Sequence, residues 1–335
     1  MMDMRNKRVL SAVTIGLALA APTAAWAKDE TPVKVSGKDA LKGASQVAIA
    51  AFNVGFIFES TDQTKATGGL MGAFGGTTKA QSKLVGVTPA MMQQVADMAY
   101  ADFVQKLTAA GLTVQDPATV FAAPTLANPH GQASPLDVGI ALEKKSKGKA
   151  TYVKPAALPT LVMFPGDFTG SGMSSIGLAM NAGQASYAFS NYAKVSGAAV
   201  IDVTYLIDFS DQKRPGAFSL GGIEVNANLS VAPQFSRMTV LGPNGKTITM
   251  TLNQPVSVDG DFIDRKDASS GLDKTSQAAA NVAGGLMAAM GHGGMMFGKT
   301  RKFEFDAKPG NYEQGAVKVA SLASEQLVAQ VAALK

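Results

Sequence analysis

The chain has 335 residues, of which 46% are hydrophobic and 16% charged, and it carries a net charge of +5. That balance is globular rather than disordered, and the length suffices for one large or two modest domains. The surplus charge is too weak and scattered for a nucleic-acid binder. With no cysteine, there is no disulfide framework, no thiol nucleophile and no cysteine for lipid attachment.

The chain opens with Arg5, Lys7 and Arg8, then an apolar stretch from Val9 to Ala21, then Ala25-Trp26-Ala27 ahead of Lys28-Asp29-Glu30. Basic, apolar and small-residue regions in that order predict a cleavable secretory signal over 1–27, and hence a periplasmic or secreted protein. The apolar stretch is too short to span a bilayer, and no later run reaches the roughly twenty apolar residues a span needs. Removing 1–27, which carries three basic residues against Asp3, takes the net charge from +5 to +3. Residues 28–46 read as an N-terminal extension. Residues 47–335 read as a single α+β domain with mobile insertions near 64–83 and 268–300.

Val47 to Phe58 is almost continuously apolar and reads as a strand buried on both faces. The Gly/Thr/Lys stretch from Thr64 to Lys83 breaks all periodicity and predicts a mobile excursion. Thr88-Pro89 is a helix start, and Met92, Val95, Ala99, Phe103 and Leu107 recur at helical spacing up to Gly111. Leu112 to Gln115 follows as a short strand. Prolines 117, 124, 129, 135, 155 and 159 mark a loop-rich region, and Leu161–Phe164 reads as a short strand. Ser174 to Val195 predicts a helix of small residues, against the propensity of its glycines.

From Ala199 to Phe209 apolar residues alternate with Asp202, Thr204 and Asp208, which predicts a strand with one apolar and one largely polar face. Phe235–Leu241 and Thr247–Leu252 flank Gly242-Pro-Asn-Gly-Lys246 as a hairpin. An acidic loop and an Ala/Gly/Met-rich stretch lead to Phe303-Glu-Phe305 and a closing helix striped by Val317, Ala320, Ala323, Leu327, Val331 and Leu334. The fold class is therefore α+β: a mixed, largely antiparallel sheet with helices packed on it and long Gly/Met-rich loops.

The opening Val47-Ala-Ile-Ala-Ala-Phe52 strand, the Thr88–Val114 helix and strand ending in AAGLTV, the strand AAVIDVTYLIDF and the hairpin SRMTVLGPNGKTITM together resemble one envelope group. It comprises the curli-secretion channel subunits, the penicillin-binding-protein activators and the TolB amino-terminal domain. The resemblance spans roughly Val47 to Met250 and concerns topology, with no catalytic motif shared. It implies an envelope assembly or accessory protein working through protein contacts. Members are commonly lipoproteins, and this chain lacks the anchoring cysteine.

Chemistry-bearing residues are sparse. Three segments combine Gly and Met: 68–76, 170–183 and 284–298. Met71, Phe74, Met173, Met180, Met287 and Met290 are the candidate partner-contact residues, because flexible thioethers make adaptable surfaces. The same methionines also suit plain gap filling under glycine-rich loops. Met287, Met290, His292, Met295 and Met296 fall within ten residues and form a soft ligand set for Cu(I). Gly170-Ser-Gly172 misses the dinucleotide-loop spacing, since the next glycine is Gly177. Asp259, Asp261, Asp264 and Asp267 lack the EF-hand pattern and read as a solvated acidic loop. The basic run from Lys144 to Lys149 reads as a solvated loop too.

Asp202 and Asp208 lie six residues apart, roughly 20 Å along a strand, too far to act as a carboxylate pair. There is no Gly-x-Ser-x-Gly elbow, and His130 sits in a turn-like Asn-Pro-His-Gly. No catalytic residue and no cofactor is assigned. The leading expectation is a non-enzymatic envelope protein, able to form homo-oligomers, that contacts another envelope protein or a membrane surface. The alternatives are a periplasmic carrier of a small apolar molecule or lipid, and a Cu(I)-binding protein.

Overall fold

The structure is a computed structural model that describes residues 31–65, 77–141, 147–168, 170, 173–213, 224–269 and 300–335. Residues 31–335 belong to one compact unit. In chain order the first half comprises β1 (Val33–Ser36), β2 (Gln46–Lys65), β3 (Thr77–Val85), α1 (Pro89–Ala109), β4 (Thr113–Val114), α2 (Pro117–Phe121), β5 (Leu136–Ile140) and β6 (Lys147–Val153). The second half comprises α3 (Met173–Ser196), β7 (Ala199–Lys213), β8 (Glu224–Val231), β9 (Arg237–Leu241), β10 (Thr247–Leu252), β11 (Val256–Val258), β12 (Ile263–Asp267), β13 (Thr300–Ala307) and α4 (Asn311–Leu334). The architecture is α+β, one mixed sheet with helices on it.

The main path of the sheet runs β1-β10-β9-β7-β2-β3-β13-β12. Among the described residues only β2–β7, β2–β4 and β3–β13 pair in parallel. β2 and β7 run side by side from Val47 and Ala199 to Phe56 and Ile207. Beyond that they take different neighbours, the end of β2 pairing with β3 and the end of β7 with β8. The two branches meet again where Arg265 of β12 donates to the Val225 carbonyl of β8.

Why β2 is apolar throughout follows from what covers it. Val47, Ile49, Phe52 and Val54 face α1 and α4, while Ala48, Ala50 and Ala51 face α2 and α3. On the first side Phe52 packs against Tyr100, Phe103 and Tyr205 at ring-centroid distances of 5.5, 5.4 and 5.6 Å. The predicted stripe of α1, Met92 through Leu107, is buried there. Its start is capped as the Thr88-Pro89 pair predicts, with Thr88 Oγ1 accepting from Met91 N at 3.3 Å. α4 docks through Ala320, Ala323, Leu327 and Val331, and its Ser324 hydroxyl bonds the Tyr205 hydroxyl at 2.8 Å.

Several expectations are corrected. The first half of β7 has no wet face: Asp202 and Thr204 are both 0% exposed, because α3 and the loop before it cover the side that the alternation marks as polar. The excursion over 64–83 contains the strand β3, whose Thr77–Lys83 pairs with Glu59–Lys65; a strand of mixed Thr, Lys and Gln carries no clear period. The loop-rich region holds β5 and β6, with Lys147 and Lys149 of the basic run on β6. Leu161–Phe164 is buried but irregular, bridging only through Leu161 to Gln132. The acidic loop contains β12, where Asp264 pairs with Lys308 at 2.9 Å and Asp267 with Arg301 at 3.5 Å. Val33–Ser36, within the stretch read as an extension, pairs with β10 as a strand at the edge of the sheet.

Candidate functional site

α3 differs from the other long helices in composition. From Met173 to Ala193 it carries no charged residue, and its bulk comes from Ala, Gly, Ser and Asn. Its C-terminal half anchors it: Ala182, Ala185, Phe189, Tyr192 and Ala193 are buried, Phe189 against Phe121 and Phe164, and the Tyr192 hydroxyl donates to Gln115 at 2.7 Å. Residues 175–181, by contrast, include none that is buried. Ile176, Met180 and Tyr187 are 55%, 63% and 70% exposed. With Gly183 they repeat at intervals of four, three and four residues, which places them in one line along the helix.

Beside this line lies an open groove of about 660 Å³. One wall is Ala179, Met180, Gly183 and Tyr187 of α3; the other is the segment from Pro124 to His130. His130 has φ +55° and its backbone N–H donates to the Asn128 side chain at 3.0 Å, so it serves as a turn residue.

Beneath the same helix, at the sheet, is a closed polar cluster. Asp202 of β7 stands opposite Thr239 of β9, and the next same-face pair is Thr204 with Arg237. Asn53 of β2 joins them, its amide donating to the Val162 carbonyl at 2.7 Å and reaching Thr204 Oγ1 at 3.5 Å. Asp167 arrives from the turn Phe164-Pro-Gly-Asp167, in which Asp167 N donates to Phe164 O at 3.2 Å. Proline second and a glycine of φ +96° third make this a type II turn. Gly166 is needed for contact as well, since a Cβ there would stand 2.0 Å from the Arg237 guanidinium. One Asp167 oxygen accepts from Phe164 N, and the Tyr152 hydroxyl donates to the Asp167 carbonyl at 3.5 Å.

Both aspartates are 0% exposed and their carboxyl groups face one another. Burial raises both, Asp167 to about 6 and Asp202 well above the usual carboxylate range; the Asp167 charge raises Asp202 further, and Arg237 opposes the shift of each. The cluster can hold a proton, but its closure to solvent leaves no room for a substrate.

No family model, curated protein or solved structure matches this chain.

Of the candidate contact residues, Met180 lies on the exposed line of α3, and Met173 is the first residue of that helix. Met71, Phe74, Met287, Met290, His292, Met295 and Met296 lie outside the described residues. So, too, do the first and last Gly/Met segments. No group of three or more His, Asp or Glu suited to a metal occurs among the described residues, and none of their helices is long and apolar enough to cross a membrane.

Sequence reading gave Asp202 a distant strand-mate, Asp208, whereas its neighbour is Asp167, thirty-five positions earlier. Each aspartate carries a local signal, a lone carboxylate between Ile201 and Val203 in a central strand and Pro-Gly-Asp directly after the apolar Leu161–Phe164, but neither signal says that the two meet.

Proposed function

We propose that this is an exported accessory or assembly protein that acts by protein contact through the exposed line of α3 and the adjoining groove. The observation that carries this is a helix uncharged up to Ala193 on which three large side chains, Ile176, Met180 and Tyr187, face solvent in register. Their four-three-four spacing suits an apolar α-helix of another protein, laid along α3 as in helix-in-groove recognition. A membrane surface fits less well, because lipid-binding helices flank their apolar face with Lys and Arg, and α3 has only Lys194. The sequence resemblance to envelope assembly proteins and the opening signal-like segment support the same reading.

A photo-reactive residue at Tyr187, tested in cells that export the chain, gives crosslinks to a protein helix. The same probe at Met98, a singly exposed methionine on α1, does not. The double substitution Ile176→Ser/Met180→Ser abolishes the crosslink while leaving the fold intact. Equal crosslinking at both positions, or adducts only with lipid, rejects the contact surface.

A second reading, carriage of a small apolar molecule, is favoured by the groove volume, which falls in the range of ligand pockets. Native mass spectrometry of the purified chain separates the two: a bound molecule released by filling the groove with Gly183→Phe supports carriage.

A further inference from the structure

We propose that Asp167 and Asp202 form a buried proton-binding site, one proton shared by two carboxyl groups, which latches the Phe164–Asp167 turn and the base of α3 onto the sheet. This goes beyond the contact reading and stands whether or not α3 binds a partner.

The geometry demands a proton. Asp167 Oδ1 and both oxygens of Asp202 have no hydrogen-bond donor among the described residues, yet the two carboxyl groups face one another. As two carboxylates they are acceptors facing acceptors, closed off from water. A proton on either one turns that contact into a hydrogen bond.

Charge balance selects the same state. The charged and titratable groups facing the pair are Arg237 from β9 and Tyr152 from β6. With one proton the pair carries a single negative charge opposite the single positive charge of Arg237. With none, a second buried negative charge goes uncompensated; with two, the guanidinium does.

The two aspartates differ in freedom. Asp202 is fixed by the β7–β2 and β7–β9 ladders. Asp167 sits in a turn tied down by the Tyr152 hydroxyl and by the packing of Arg237 on Gly166. When the proton leaves for solvent, the turn is therefore what moves. Residues 175–181 of α3, which bury no residue of their own, follow that turn in the chain, so its release reaches the start of the helix first.

The test is amide hydrogen exchange of residues 164–168 across pH, corrected for the intrinsic rate, alongside infrared detection of the protonated carboxylic acid. The last proton of the folded pair stays on Asp202, whose carboxyl is held well above its ordinary value of 3.8. The latch therefore remains closed through the pH of about 6 at which Asp167 gives up its own proton, and opens only as pH rises through the higher value of Asp202. Corrected exchange in the turn then climbs by about tenfold per pH unit, as one lost proton requires. Exchange in the β9–β10 hairpin stays flat. An acid carbonyl band persists above about pH 5, where exposed carboxylates have ionised.

Asp202→Asn removes both the band and the slope, because its amide donates to Asp167 at every pH. If that variant does not fold, Asp167→Asn carries the same expectation, and the wild-type band needs neither variant. Absence of the band, or an equal slope in wild type and a folded variant, overturns the site.

Discussion

The two faces of the central sheet are built on opposite plans. Toward α1 and α4 the sheet presents Phe52 and Tyr205, which meet Phe103 of α1 and Leu327 of α4, large side chains that fill space by interlocking. Toward α3 it presents Ala48, Ala50, Ala51 and Val200, with a fully buried polar cluster at the margin. Large residues secure a helix by sheer buried area. Small residues bring the helix close but leave less area to hold it, so α3 depends on its C-terminal aromatics. The weakly anchored helix is also the one whose bulky side chains face solvent, which is where a binding surface is expected.

Three substitutions test that contrast. Phe52→Ala opens a cavity among Tyr100, Phe103 and Tyr205 and lowers unfolding free energy by about 3–5 kcal/mol in a urea titration. A loss under ~1 kcal/mol would mean that the aromatic face does not dominate. On the other side truncation has little to remove, and enlargement is what does harm. Ala185→Leu, at a residue of 0% exposure, costs about 1–3 kcal/mol by overpacking and raises proteolytic cleavage within α3 before global unfolding. A neutral result would show slack beneath the helix. The smallest effect is expected at the α1 cap, where Thr88→Ala loses the bond to Met91 N and about 1 kcal/mol of thermal stability.

Much of the first plan was legible in the sequence. Thr88-Pro89 and the spacing of Met92 to Leu107 locate α1 to within a residue or two, and Gly242–Lys246 locates the β9–β10 hairpin. Both signals are local: a cap, a turn and a periodicity that each depend on neighbours in sequence. The second plan was less visible. Alternation along β7 marks Asp202 and Thr204 as polar, and polar in isolation reads as solvent-facing; nothing nearby says that a turn ending in Asp167 will cover them. β3 escapes for a related reason, since its Thr, Lys and Gln residues gain strand character only from pairing with β2 and β13.

By itself, then, the sequence determined the three long helices, the main strands, the α+β class and the largely uncharged make-up of α3, because each is written in short-range pattern and composition. Only the tertiary structure decided that α3 lies over a closed acid pair, that its bulky side chains share one exposed line, and that Asp167 rather than Asp208 meets Asp202. Those facts depend on which distant segments pack together. A carboxyl group buried against another behaves differently from either one alone, because the low-dielectric interior forbids two like charges in contact.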